Sequence, residues 1–353
     1  MTGLRFVAAF LVFGFHVHTE RLVADGPART AMEWVFSPGA AGVSFFFVLS
    51  GFVLTWSARP GDTARRFWRR RAARIYPDHL ATWLVAVALA VAGGSGVALA
   101  VWLPNLLLVQ AWSPDLDVFF GLNTVSWSLA CEVFFYALFP VLYLLLPRLP
   151  GRALWPATAA ALSLVWLVPV AAHALPLADR YWFIWVFPVS RLPEFAAGML
   201  LARIVQEGRW PRRFGLAPAT ALAIAAYLGS RWLPDDFRIV AATVIPLALL
   251  VAAVAAADVA GTPSPWRSSR WVRLGELSYA FYLVHQLVLR LVVHVAGTGH
   301  PAAAGLGIAL VSLALALAGS WLLHEGVENP AIRLLLRRRT PPATAGSAPK
   351  PRT

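Results

Sequence analysis

Apolar stretches long enough to cross a membrane, about 20 residues each, recur along the whole chain between short polar turns. This pattern predicts an all-α fold, a polytopic membrane helical bundle of about ten transmembrane helices. The predicted spans are 4–19, 38–58, 77–95, 125–147, 153–173, 181–205, 215–233, 237–258, 275–297 and 303–325.

The segment 96–124 also contains an apolar stretch, but Pro104 and Asn105 interrupt it. The distribution of basic residues decides its assignment. With the N-terminus in the cytoplasm, ten spans place 23 of the 30 Lys and Arg residues on the cytoplasmic side and five on the opposite side, as the positive-inside rule requires. An eleventh span at 96–109 would move later basic loops outside. We therefore predict that 96–124 is re-entrant or lies on the outer surface, and that both termini are cytoplasmic.

The composition agrees with a membrane protein. Hydrophobic residues make up 59% of the chain and charged residues 13%, whereas soluble domains carry about 25% charged residues. The net charge of +13 would suggest nucleic acid as the partner of a soluble protein. In a membrane protein such a charge reflects the basic residues of cytoplasmic loops, so we expect membrane lipid and not nucleic acid as a partner. We predict a multi-pass protein of a bacterial plasma (inner) membrane, with one membrane domain at 1–336 and a disordered cytoplasmic tail at 337–353.

Ionisable residues inside spans are costly, and each is therefore a candidate for function. Arg5 and His16 lie on one face of the first predicted helix, about three turns and 16 Å apart. A fixed cation at one depth and a titratable base at another would suit a long molecule with an anionic head and a reactive tail. The alternative is a snorkelling arginine and a hydrogen-bonded packing histidine.

Six arginines crowd into ten residues of the predicted cytoplasmic loop 59–76. Arginine binds phosphate through two parallel hydrogen bonds, so the cluster indicates a phosphate site. Contact with anionic lipid headgroups is the alternative. If the segment is helical, Arg66, Arg70 and Arg74 share one face, and Arg71 adjoins Arg74. The six are Arg65, Arg66, Arg69, Arg70, Arg71 and Arg74.

Further polar residues fall inside later spans. Glu132 lies about two turns into the fourth span, so it must be protonated, paired or facing a wet cavity. Arg191 and Glu194 could pair at i and i+3 around Pro193. His285 fits a core histidine bonded to a neighbouring helix as well as it fits a ligand.

The usual cofactor patterns are missing from the sequence. The histidines lack the spacing of a zinc site, so we expect no metal. Neither a GxxxxGK[ST] nor a GxGxxG motif occurs. The segment Gly42–Gly51 is instead an apolar helix whose small residues permit close packing.

Several motifs follow one another along the chain: Arg5-x10-His16, GVSFFFVLSGFVL at 42–54, Arg74-Ile75-Tyr76-Pro77, Trp127-Ser128-Leu129 with Glu132, Gly275–Gln286 and Glu328-Asn329-Pro330. Taken in this order, they resemble the acyltransferase-3 family of integral membrane acyltransferases. The resemblance covers residues 2 to about 336. One position departs from the pattern, because Asp78-His79 stands where hydrophobic residues are expected at the start of the third span.

The resemblance implies a ten-span enzyme that moves an acyl group, usually acetyl, from cytoplasmic acyl-CoA to a hydroxyl. Family acceptors are surface glycans and, in antibiotic producers, macrolides. By this likeness Arg5, Arg70, Arg71 and Arg74 would bind the acyl-CoA phosphates. His16 would be the catalytic base or an acylated relay.

Glu132 completes the predicted catalytic pair by orienting the histidine or hydrogen-bonding the acceptor. The alternative function is a proton-coupled transporter or flippase, which intramembrane Arg, Glu and His would also fit.

Overall fold

A computed structural model describes residues 1–336 apart from 60, 95 and 97. The predicted tail 337–353 lies outside the described residues. The long helices are α1 Thr2–Thr19, α3 Ala41–Ser57, α4 Ala64–Ala92, α7 Trp127–Leu145, α8 Leu154–Ala172, α10 Pro188–Gln206, α11 Leu216–Gly229, α13 Ala241–Val259, α14 Ser269–Ala296 and α15 Ala302–Leu323. The shorter helices are α2 Pro27–Phe36, α5 Leu99–Leu106, α6 Leu116–Phe119, α9 Leu177–Trp185, α12 Asp235–Arg238 and α16 Asn329–Leu336.

In the described part of the chain, nine helical stretches are long and apolar enough to span a membrane. They coincide with nine of the ten predicted spans, and the prediction of an all-α polytopic bundle is confirmed. The remaining predicted span, 215–233, corresponds to α11 and a 3-10 turn at Ser230–Trp232. With 14 residues, α11 is about 21 Å long, shorter than the hydrocarbon core of about 30 Å.

The segment 96–124 is not a span, as predicted. It breaks into α5, a 3-10 turn at Gln110–Trp112 and the single turn of α6. Some of its side chains face inward, since Asn105 and Gln110 are buried, while others such as Leu99 and Leu107 are exposed. The segment therefore packs against the bundle along one side and leaves an apolar side uncovered.

The predicted loop 59–76 is wrong from residue 64 onwards, because the arginine-rich segment is the first part of α4. The Thr63 hydroxyl caps this helix by accepting the Arg66 N–H at 3.3 Å. Pro77 lies inside the helix and does not end it. Asp78 and His79 are 0% and 1% exposed, so the third span begins with buried polar residues.

Small residues let the central helices approach closely, as predicted for Gly42–Gly51. A Cβ added at Gly51 would collide with the Phe195 carbonyl of α10, and one at Gly198 would collide with the Val48 carbonyl of α3. A Cβ at Gly42 would come within 2.6 Å of the carbonyl oxygen of Ala8 in α1. Helices in lipid associate largely through such close packing, and it fixes α3 between α1 and α10.

The predicted pair of Arg191 and Glu194 is confirmed, with 3.0 Å between Arg191 Nε and Glu194 Oε1. Both side chains are almost completely buried. Arg191 also donates to Ser44 Oγ at 3.0 Å and lies 5.1 Å from the centre of the Phe47 ring. The pair satisfies its own charges and links α10 to α3.

Candidate active site

A cavity of about 370 Å³ opens among α1, α3, α4, α7 and α14. Four residues singled out in the sequence line it together: Arg5, Arg71, Arg74 and Glu132. They come from three helices that are far apart in sequence, so the fold gathers three cations and one carboxyl group around one space. The other polar residues that line it are Ser50, Ser128, Tyr136, Ser278, Tyr279 and Tyr282.

The three cavity arginines differ in their partners. Arg74 forms an ion pair with Glu328, at 2.7 Å between Nη1 and Oε1. Among the residues that the structure describes, Arg5 and Arg71 have no carboxylate within 4.0 Å, and the buried Nε of Arg71 has no hydrogen-bond partner. Two guanidinium groups therefore retain hydrogen-bond donors for an anionic ligand.

Arg70 does not line this cavity. Its guanidinium group instead contacts Asp62 in the turn before α4, with Nη1 donating to Oδ1 at 3.0 Å and Nη2 to Oδ2. Hydrogen bonding to Arg70 lowers the pKa of Asp62 below its ordinary value. The predicted role of Arg70 in binding acyl-CoA stays a prediction, and Arg70 would have to release Asp62 to reach a ligand in the cavity.

Glu132 is placed by the helix that carries it. Tyr136 lies one turn further along α7 and donates its hydroxyl proton to Glu132 Oε2 at 2.7 Å. The Ser50 hydroxyl in turn donates to the Tyr136 oxygen at 3.4 Å. This chain from α3 to α7 holds the Glu132 carboxyl group at the cavity wall.

Behind Arg74 lies a buried group of ionisable residues. Glu328 is 1% exposed and contacts His324 Nδ1 at 2.7 Å as well as Arg74. Asp78 is completely buried, and neither of its carboxyl oxygens has a hydrogen-bond partner. A buried carboxyl group must either take up a proton or pair with a cation. Glu328 has Arg74 as such a partner, so the removal of Arg74 should be costly.

His16 lies away from the cavity. Its Nδ1 is 2.9 Å from Nε2 of His285 in α14, a residue 269 positions later in the chain. Tyr282 connects the two places, because it lines the cavity and its ring centre lies 5.9 Å from that of His285. The structure thus brings Glu132 together with the arginines in one cavity. His16 lies outside this cavity, and Tyr282 lies between the cavity and the histidine pair.

Several contacts of the site were not predicted from the sequence, although His285 does bond to a neighbouring helix, as one of its two interpretations expected. Tyr136 could have been found from its spacing, four residues after Glu132 in one helix. The pairing of His285 with His16 had no such signal, because residues on separate helices acquire neighbours through packing. Glu328 belongs to the Glu-Asn-Pro motif, which by itself indicates no ion pair with Arg74.

Comparison with known proteins places the chain in a family. The model of a family described as "Acyltransferase domain" matches residues 1–325. Acyltransferase MdmB of Streptomyces mycarofaciens is 42% identical, over 98% of this chain and 94% of the relative. Exopolysaccharide production protein ExoZ of Rhizobium meliloti is 32% identical, over 89% of this chain and 96% of the relative.

A more distant relative is Nodulation protein 10 of Rhizobium leguminosarum bv. viciae, which is 27% identical over 85% of each chain. No solved structure matches. The similarity therefore covers nearly the whole bundle, including every helix that contributes to the cavity.

Proposed function

The chain belongs to the acyltransferase-3 family and is a multi-pass membrane acyltransferase, and on that basis we propose that it transfers an acyl group, acetyl in the first instance, from acyl-CoA to a hydroxyl. Membership in this family decides against the transporter or flippase considered from the sequence. The observation that carries the proposal is the cavity in which Arg5, Arg71 and Arg74 meet Glu132.

Acyl-CoA suits this cavity because its phosphates lie at one end of the molecule and its thioester at the other. In the proposal the phosphates contact Arg5, Arg71 and Arg74, each of which can donate two parallel hydrogen bonds to phosphate. Since acyl-CoA is cytoplasmic, the Arg5 end of the bundle faces the cytoplasm. If α11 makes the tenth crossing, both termini lie on that side of the plasma membrane, in agreement with the positive-inside rule.

In this proposal His16 is the general base of the acyl transfer. In the proposed step His16 accepts the proton of the acceptor hydroxyl while that oxygen attacks the thioester carbonyl. The C–O ester bond forms, the C–S bond breaks, and the proton passes to the departing sulfur as CoA thiol. A relay through an acylated His16 would give the same products. Glu132 would hydrogen-bond the acceptor, and the thioester would pass Tyr282 to reach the histidine.

The acceptor is proposed from the family and its members. ExoZ is named for exopolysaccharide production, which supports a carbohydrate hydroxyl of a surface glycan. A macrolide-type secondary metabolite is the second acceptor class implied by the family. Both are hydroxylated molecules that can reach the membrane surface opposite the arginines.

The test is release of free CoA thiol from acetyl-CoA by the purified protein in detergent, with a panel of glycan and macrolide acceptors. We expect His16→Ala to lower acceptor-stimulated release by about 10²- to 10⁴-fold, the usual contribution of a positioned base. His18→Ala is the matched control, because His18 lies on the same helix two residues further along, where it cannot share the face of His16.

Two results would contradict the proposal in different ways. If the wild-type protein neither binds acetyl-CoA nor releases CoA with any acceptor, acyl-CoA is not the donor. If His16→Ala releases CoA at the rate of the wild-type protein, acyl transfer stands but His16 is not the base.

A further inference from the structure

His16 is paired with His285, and the hydrogen bonds of His285 determine which nitrogen of each imidazole carries the proton. Each nitrogen of the His285 imidazole has a polar neighbour: Nδ1 is 3.1 Å from the carbonyl oxygen of Phe281, and Nε2 is 2.9 Å from Nδ1 of His16. A carbonyl oxygen can only accept a hydrogen bond. The Nδ1 of His285 must therefore carry a proton and donate it to Phe281.

The rest follows from the chemistry of a neutral imidazole, which has one donor and one acceptor nitrogen. His285 is 0% exposed and lies within a membrane-spanning helix, where a charged ring would be strongly disfavoured. With its proton on Nδ1, its Nε2 is an acceptor. The Nδ1 of His16 must then be the donor, which leaves the lone pair of His16 on Nε2.

We propose that His285 is a positioning residue that holds His16 in the tautomer with Nδ1 protonated, so that Nε2 of His16 is the atom that removes the proton from the acceptor. The inference rests on the proposed role of His16 as the base. His285 takes the place that a carboxylate occupies in a Ser-His-Asp triad, but without adding a negative charge inside the membrane.

The surroundings of His285 support a fixed ring. The Phe281 ring stacks on it at 5.7 Å between centres, and the Phe13 ring meets it edge-on at 6.2 Å. Tyr282 packs on it at 5.9 Å. Since His285 does not line the arginine cavity, a change at this position should affect the reaction step and leave acyl-CoA binding intact.

Two substitutions separate positioning from packing. The amide of His285→Gln reaches the place of Nε2 and can still accept from His16. The shorter amide of His285→Asn reaches only the place of Nδ1, so it can keep the bond to Phe281 but cannot reach His16. We expect His285→Asn to lower kcat at least about 10- to 100-fold, the loss that is usual when a metal-bound histidine is deprived of the partner that orients it. The KM for acetyl-CoA should not change, and His285→Gln should restore most of kcat.

The tautomer can also be read without activity, from the ¹⁵N resonances of histidine-labelled protein, with His16→Gln identifying the His16 signals. We expect a protonated Nδ1 on His16 in the wild-type protein and a mixture of tautomers in His285→Asn. A wild-type kcat in His285→Asn, an equal loss in His285→Gln, or a proton on Nε2 of His16 in the wild-type protein would each overturn the inference. Failure of the proposed base itself would look different, since His16→Ala would then be active.

Discussion

Arg71 provides the sharpest test of the phosphate-binding role, because its substitution should change binding and stability in opposite directions. Its side chain lines the cavity, its Nε is buried, and that nitrogen has no hydrogen-bond partner among the described residues. The substitution Arg71→Met keeps an unbranched side chain of similar length and removes the charge. It breaks no intramolecular ion pair within the described part of the chain.

The magnitude follows from the interaction that is lost. A hydrogen bond to a charged group contributes about 1.5–3 kcal/mol, and each 1.4 kcal/mol corresponds to a tenfold change in affinity, so the Kd for CoA should rise about 10- to 150-fold. The stability of the ligand-free protein should not fall. A buried donor without a partner is itself a cost of about 1–3 kcal/mol, and the substitution removes that cost.

The assay is calorimetric titration of CoA into the detergent-solubilised protein, with the melting temperature measured on the same samples. Arg66→Met is the matched control, since Arg66 is exposed, lies on the same helix and does not line the cavity. S-acetyl pantetheine, which lacks the nucleotide phosphates, is the control ligand and should bind both variants equally. An equal loss of CoA affinity in Arg66→Met would indicate a general charge effect, and undiminished affinity in Arg71→Met would refute the phosphate contact.

Two further predictions concern α4. Arg74→Met should weaken CoA binding and also destabilise the protein, because it leaves Glu328, 1% exposed, with only His324 as its partner. The cost should be smaller than the ~3–5 kcal/mol of a fully buried pair, since the Arg74 side chain is 36% exposed, and a melting temperature equal to that of the wild-type protein would contradict this. The pair of Asp62 and Arg70 should stabilise the protein in full above the ordinary aspartate pKa of 3.8 and lose its effect as the pH falls through the lowered value. The melting temperature of Arg70→Gln should thus lie slightly below that of the wild-type protein at pH 6, since partly exposed pairs contribute less than about 1 kcal/mol. The difference should shrink as the pH is lowered below 3.8, and a difference that does not change with pH would exclude the ion pair as its cause.

The sequence predicts the spans well because few backbone structures can form all their hydrogen bonds internally within a membrane. Long apolar helices follow from hydropathy alone, and the charge count excludes 96–124 as a span. The start of α4 escapes this reasoning because its first turns are polar and lie outside the apolar stretch. There the helix begins at a Thr63 cap, whose hydroxyl accepts the Arg66 N–H.

Side-chain partners are harder to predict from sequence than helices. Glu132 and Tyr136 lie one turn apart on one helix, so their hydrogen bond can be predicted from their spacing in the sequence. Arg70 shares its segment with Arg71 and Arg74, yet it turns toward Asp62 in the preceding turn. Which arginine faces a cavity depends on the rotation of α4 against its neighbours, and six arginines in ten residues leave that rotation undetermined.

The positions of the two functional groups constrain the ligand. Arg5 and His16 stand on one helix about 16 Å apart, with the cavity around the first and the histidine pair around the second. A neutral hydroxylated acceptor carries no phosphate that three arginines could bind. A free phosphate would not extend past Tyr282 to the histidine base. A molecule with a polyanionic head and a reactive group at the end of a long arm would use both. Acyl-CoA has that form, and for this reason Arg71→Met should affect binding while His285→Asn affects the reaction step.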